Sequence, residues 1–232
     1  LVFWPLHTNR PGETCRIIGY PDAAYRNNED KSSQRGQAIF ICEGRLKNVI
    51  NPKGSLVDYE SSKIKKTVLS TTVSELYSFM KCYGTCQFMK GLWMDMTGQC
   101  AVIHMRTDAN NLVTTASTTH LPEQKETIHM INQLRHEALS GQIDDLAHVV
   151  SADCLSDCLT KNSAKADALI KCVNSGYLPN CDKHPAFREL MKPHHKAYLA
   201  SWLVTTLPRV RDIQTFLGKH VQEDIHSALQ IR

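Results

Sequence analysis

Four acidic residues, Asp22, Glu75, Asp108 and Asp157, fall at the ends or starts of segments with clear periodicity. Singly, each has an ordinary structural role. Asp22 can cap the turn after a strand, and Glu75 can complete a capping box with Thr72. Asp108 can serve as a helix N-cap, and Asp157 suits the first turn of a helix, where the dipole favours acids. Gathered at one place they would repel one another unless divalent cations neutralised them. Mg²⁺ takes oxygen ligands and keeps several waters, so shared carboxylates plus a substrate phosphate suit it, with Mn²⁺ as an alternative. Two such ions about 3.5–4 Å apart activate a water and stabilise the leaving oxygen in phosphodiester hydrolysis.

The elements that must position these residues follow from the pattern. Cys15 to Tyr25 alternates as a strand ending on Asp22, and an ionised Asp on a buried strand needs a partner because its desolvation is costly. Gly36 to Cys42 predicts a second strand. Gly44 to Gly54 predicts a loop, and the alternation over Lys63–Leu69 predicts a third strand. A helix is expected from about Ser70 to Met94, with Leu76, Phe79, Met80 and Tyr83 on its buried stripe. Cys100–Met105 predicts a fourth strand running into Asp108, followed by a short helix to about Ser117. Gln124–Leu139 predicts a helix closed by Gly141, Ile143–Val150 a fifth strand, and Asp153–Lys161 a further helix. The expected class is α/β, a mixed five-stranded sheet flanked by helices. Residues 1–14 form an irregular lead-in, 15–165 the main domain, and 166–232 a helical C-terminal tail with helix candidates at 197–207 and 212–231.

Composition is that of a globular chain: 232 residues, 42% apolar, 22% charged and a net charge of +4. The charge permits a nucleic-acid partner without arguing for one. Nine cysteines, an odd count without CxxC pairs, exclude a disulfide framework; Cys82, Cys86, Cys154 and Cys158 are expected as buried thiols in a reducing, intracellular setting. No apolar run reaches the length of a membrane span, and Leu1–Leu6 lacks the basic start of a signal peptide. The chain begins without Met, as expected of a piece of a longer precursor. His184, His194 and His195 match no ligand spacing and are expected as solvated histidines.

Several motifs share an order with one known family. Gly19-Tyr-Pro-Asp22-Ala-Ala-Tyr25 resembles G-Y-S-D-A-D-W, and Asp30-Lys-Ser-Ser-Gln-Arg-Gly36 resembles D-R-K-S-T-S-G. Val68-Leu-Ser-Thr-Thr-Val-Ser-Glu75 resembles V-A-L-S-S-T-E-A-E, and Thr107-Asp108-Ala-Asn-Asn-Leu112 is similar to C-D-N-Q-S-A. Ser140-Gly-Gln-Ile143 and Leu155-Ser-Asp157-Cys-Leu-Thr-Lys161 resemble S-G-E-I and A-D-I-L-T-K. Across residues 15–165 the chain thus resembles the ribonuclease H domain of copia-type retrotransposon polyproteins. The resemblance implies a ribonuclease H-like fold, hydrolysis of the RNA strand of an RNA–DNA hybrid during reverse transcription, and Asp22, Glu75, Asp108 and Asp157 as ligands of two Mg²⁺ ions. The polymerase portion of the parent polyprotein is an implied partner. The chain departs from the family at Lys125–Gln133, where Glu126, Met130 and Asn132 replace the usual basic and histidine positions, and at Leu76 and Ala109.

Substrate contacts are expected from Ser32, Ser33, Gln34, Arg35, Lys63 and Lys65, within a basic excess over the first strands that includes Lys31 and Lys66. Hydroxyl and amide groups can bond a sugar–phosphate backbone, and lysines on one face suit phosphates. A solvated charged edge explains the same lysines. Two rival readings remain open at the level of sequence. One is a decayed retroelement copy that binds nucleic acid without cutting, and the other a helical interaction module supplied by residues 183–232.

Overall fold

A computed structural model describes residues 3–6, 15–44, 52–117, 125–161 and 163–179. Five strands form one sheet: β1 (Cys15–Ala24), β2 (Gln34–Cys42), β3 (Gly54–Lys63), β4 (Ala101–Thr107) and β5 (Asp145–His148), in the order β3-β2-β1-β4-β5. β1–β2 and β2–β3 pair antiparallel, while β1–β4 and β4–β5 pair parallel. Antiparallel neighbours can be joined by short turns, whereas parallel ones need crossovers. The helices α1 (Thr71–Thr97), α2 (Asn110–Ser117) and α3 (Lys125–Leu139) lie in those crossovers. A fourth helix, α4, spans Asp167–Ser175. This is the mixed five-stranded sheet flanked by helices that the sequence predicts.

Every residue of β1 is buried, as a central strand covered on both faces requires. On one face, Ile17, Ile39 and Ile103 pack with Leu76, Phe79 and Tyr83 of α1 and with α2 and α3. Gly19 lets α1 come close, since a Cβ there would stand 2.8 Å from Cys86 Sγ and 3.0 Å from Cys82 Sγ. On the other face Ile18, Tyr20 and Phe40 pack with Leu155, Cys172 and Leu178, so α4 shares the core of the sheet. Trp4 clasps this side, donating from Nε1 to the Val173 carbonyl (3.0 Å) and from its backbone N–H to Ser55 Oγ (2.8 Å).

Three expectations need correction. The third strand is Gly54–Lys63, not Lys63–Leu69. Pairing with β2 runs from Cys42↔Gly54 to Gln34↔Lys63, so the ladder is used up before Ile64. The alternation beyond it reflects Ile64 and Val68 packing with Val73 beneath Tyr25 and Tyr77. The N-cap of α1 is Ser70, whose Oγ accepts from Val73 N–H (3.3 Å), which leaves Glu75 outside any capping box with Thr72. Residues 153–161 form no α-helix; the stretch 151–161 instead holds two short 3₁₀ turns, Ser151–Asp153 and Asp157–Leu159. The histidines 184, 194 and 195 and the tail helices lie outside the described residues. No helix among the described residues is long and apolar enough to cross a membrane.

Candidate metal centre

Asp22 and Asp108 meet because β1 and β4 are parallel neighbours, so the carboxyl ends of both strands lie at one edge of the sheet. Asp22 is near the end of β1, and Asp108 is the first residue after β4. One donor atom from each of Asp22, Asp108 and Cys154 lies within 4.8 Å of the others. The first turns of α1 are pinned beside them, with Ser78 Oγ donating to the carbonyls of Asp22 (2.6 Å) and Gly36 (3.1 Å). That places Glu75, only 8% exposed, where it feels the charges of Asp22 and Asp108.

The fourth acid arrives over β2. Gly36, opposite Asp22 in the ladder, has no side chain, and a Cβ there would stand 2.8 Å from Thr160 Cγ2 and 2.9 Å from Leu159 Cβ. The 3₁₀ turn therefore lies flat on the sheet at this point. Thr160 Oγ1 donates to Asp22 Oδ2, and Lys161 pairs with Asp157 while its Nζ stands 4.0 Å from Asp22 Oδ2. Asp108 accepts from Ser151 Oγ at 3.0 Å. Asp157 thus stands within electrostatic reach of Asp22, held by its own lysine.

The electrostatics are those of crowded negative charge. Burial pushes the Glu75 carboxyl up to about 9, and Asp22 and Asp108 push in the same direction. Asp22 is also raised, chiefly by burial and further by Asp108 and Asp157, against the opposing Thr160 hydrogen bond and Lys161. Carboxylates held in this way ionise readily only when a positive charge joins them. The oxygen donors of Asp22, Asp108 and Glu75 fit Mg²⁺ or Mn²⁺, whereas the Cys154 sulfur is a soft donor that neither ion requires.

The expected substrate residues divide. Ser32, Ser33, Lys63 and Lys65 line one cleft together with Arg26, Lys31 and Lys66. Gln34 and Arg35 do not line it. Gln34 Nε2 donates to Ser61 Oγ (2.9 Å), and Arg35 pairs with Glu60 (3.0 Å) and Ser62 across β2–β3. Within the cleft Ser33 is buried and its Oγ accepts from Arg26 N–H (3.1 Å), while Lys63 pairs with Asp30. Arg26 and Lys31 adopt positive φ, 51° and 61°, where the chain turns between β1 and β2. Sequence reading gives no part to Arg26 or Ser151 and takes Cys154 only as a buried thiol. Thr160 and Lys161 stood inside a quoted motif, which was the one available signal for them.

No family model and no curated protein matches the chain significantly. Among solved structures it is similar to LC11-RNase H1, isolated from compost by a metagenomic approach and crystallised in complex with an RNA/DNA hybrid. The identity is 16% over 66% of this chain and 99% of that chain, with a TM-score of 0.42. It is also similar to RNase H1 from the halophilic archaeon Halobacterium salinarum, at 17% identity over 67% and 98% of the two chains, with a TM-score of 0.39. The foamy viral protease-reverse transcriptase in complex with dsDNA matches at 11% identity over 64% and 92%, with a TM-score of 0.36. Such distant likenesses carry no argument about individual residues, and the site stands on its own geometry.

Proposed function

We propose that this chain is a divalent-metal-dependent nuclease that hydrolyses the RNA strand of an RNA–DNA hybrid, within a copia-type retrotransposon reverse transcriptase polyprotein. The observation that supports it most is the crowding of Asp22, Glu75 and Asp108 at the shared carboxyl end of β1 and β4. Asp157 completes the set from its 3₁₀ turn. The motif resemblance supplies the retroelement part of the reading, and the polymerase portion of such a polyprotein is the expected partner.

Asp22, Asp108, Glu75 and Asp157 would hold two Mg²⁺ ions, which supply an activated water and charge stabilisation of the leaving oxygen. The protein's own contributions are positional. Thr160 bonds one oxygen of Asp22, leaving the other for a metal ion, and Ser151 does the same for Asp108. Lys161 orients Asp157 and lowers the repulsion at the site. The cleft lined by Lys63, Lys65 and Lys66 receives the phosphate backbone, and Ser32 offers a hydroxyl that can bond the sugar–phosphate chain. Cys15, Cys82, Cys86, Cys154 and Cys158 are thiols, which supports an intracellular setting.

The test is cleavage of a strand-labelled RNA–DNA hybrid in Mg²⁺. The RNA strand is cut, and Asp108→Asn lowers the rate by more than about a hundredfold with its fold intact. A folded protein that binds the hybrid yet leaves both strands whole in Mg²⁺ and in Mn²⁺ would instead be a binding remnant.

A further inference from the structure

We propose that the outer face of the second half of α1 is a docking surface for residues 212–231 of this same chain, a segment outside the described residues. The metal centre draws only on the start of α1. After Cys86 no residue of the helix is fully buried, although this part carries Phe88, Leu92 and Met96. The three recur every four residues, so they form one stripe, and they are 66%, 41% and 76% exposed. The stripe faces away from the sheet, since the fully buried Phe79 and Cys86 occupy the opposite side of the helix. Gly84 and Gly91 flank it, and a Cβ added at either would meet nothing within 4 Å. Glycine is unfavourable inside a helix, and a close approach of another backbone is one reason to keep it there. An exposed apolar row on a helix that is already apolar on its core side indicates cover on both sides.

The position of residue 179 points to the chain itself as the occupant. Leu178 N–H donates to the Pro52 carbonyl (3.0 Å) just before β3, and Tyr177 bridges to Lys53. Gly54 pairs with Cys42, and Cys42 with Arg16, so the chain leaves at the end of the sheet where β1 begins. α1 finishes at that end too, because its Gly98 cap stands three residues before Ala101, the partner of Cys15. Three strand spacings of about 4.8 Å separate β3 from β4, and residues 180–211, at up to about 3.3 Å each, cover that span many times over. Ile213, Leu217, Val221 and Ile225 then recur every four residues, the apolar face that a helix lying on the stripe needs. Arrival at the finishing end of α1 makes the pairing antiparallel. With Leu217 against Phe88, that direction sets Asp224 opposite Lys81 and brings Arg211 near Asp95. Lys81 and Asp95 are both exposed and stand seven residues either side of Phe88, so each end of the pairing joins opposite charges.

The experiment uses the full chain and two readings. With the photoreactive p-benzoylphenylalanine in place of Phe88, irradiation joins that position to peptides within 212–231 of the same molecule, in a yield independent of protein concentration. Hydrogen exchange read by mass spectrometry finds the amides of 212–231 protected. Phe88→Asp speeds their exchange by more than about tenfold while β1, β2 and β4 stay protected, which shows that the fold is kept. Leu217→Asp has the same effect from the other side, and Tyr59→Ser, at an exposed aromatic of β3, has none. Exchange of 212–231 that is unprotected in the wild type, or indifferent to Phe88→Asp, overturns the inference. So does a cross-link to any other part of the chain, or one whose yield rises with concentration, as a second copy on the stripe would give. The stripe begins about 20 Å along α1 from Glu75, and neither reading involves hydrolysis, so this inference and the nuclease reading stand or fall separately.

Discussion

Glu75 carries the charge state of the whole centre. Its folded-state value of about 9 lies above the ordinary 4.5 because burial and the charges of Asp22 and Asp108 oppose ionisation. An acid raised in this way binds its proton more tightly folded than unfolded. Its contribution to stability is complete below the unfolded value and is lost as pH rises through the folded one. In EDTA, thermal melts should therefore fall from about pH 4.5 through about pH 9, and Asp22, also raised, adds in the same direction. Glu75→Gln flattens that slope, and Mg²⁺ raises the melting temperature more at pH 9 than at pH 6. A slope unchanged in Glu75→Gln would mean that the carboxyl is not buried among like charges. Asp157, already paired with Lys161, carries less of the repulsion. Its change to Asn should cost cleavage about tenfold, well short of the loss expected for Asp108→Asn, as single-turnover rates would show. At this scale the four acids stand out in the sequence because each falls at the end or start of a periodic segment. Their partners do not. Thr160 reaches Asp22 across 138 residues, and nothing local to either residue announces that contact.

At the scale of elements, the 3₁₀ turn over β2 is the part on which the site depends most narrowly. Gly36→Ala puts a methyl 2.8 Å from Thr160 and 3.1 Å from the Ser156 carbonyl, so the turn must lift. A loss of about 1–3 kcal/mol in urea denaturation is expected. Cleavage should fall further than hybrid affinity, because Asp157 and Thr160 ride on the displaced segment while the basic cleft does not. Equal losses in the two would place the turn outside the reaction. Strands β1, β2 and β4 were readable from alternation and from their apolar centres. β3 was not, since Asp58, Glu60 and Ser62 make its half-buried row polar, while Ile64 and Val68 beyond it imitate a strand by packing under Tyr25 and Tyr77. The cap of α1 was misread for a related reason. Thr72 and Glu75 have capping-box spacing, but Ser70 takes the cap and Thr72 instead accepts from Asn111 of α2 at 2.7 Å.

For the molecule as a whole, a net charge of +4 is modest, yet Arg26, Lys31, Lys63, Lys65 and Lys66 share one cleft. Affinity for hybrid should thus depend on salt through that cleft. Lys65→Ala should reduce the slope of log affinity against log salt by about 1 and weaken binding evenly across sequences. A slope unaltered by Lys65→Ala would move the nucleic acid to another face.

Asp22 and Thr160 also bear on the order of events in folding. The acids come from positions 22, 75, 108 and 157, so the centre exists only after a loop of 138 residues between Asp22 and Thr160 has closed. Loop closure of this kind is late and slow, because its entropy is spent before the contact returns anything. A cation that needs all four carboxylates has little to grip in the folding transition state. Mg²⁺ should then leave the refolding limb of the chevron almost unmoved and slow the unfolding limb, lengthening the lifetime of the native chain rather than hastening its arrival.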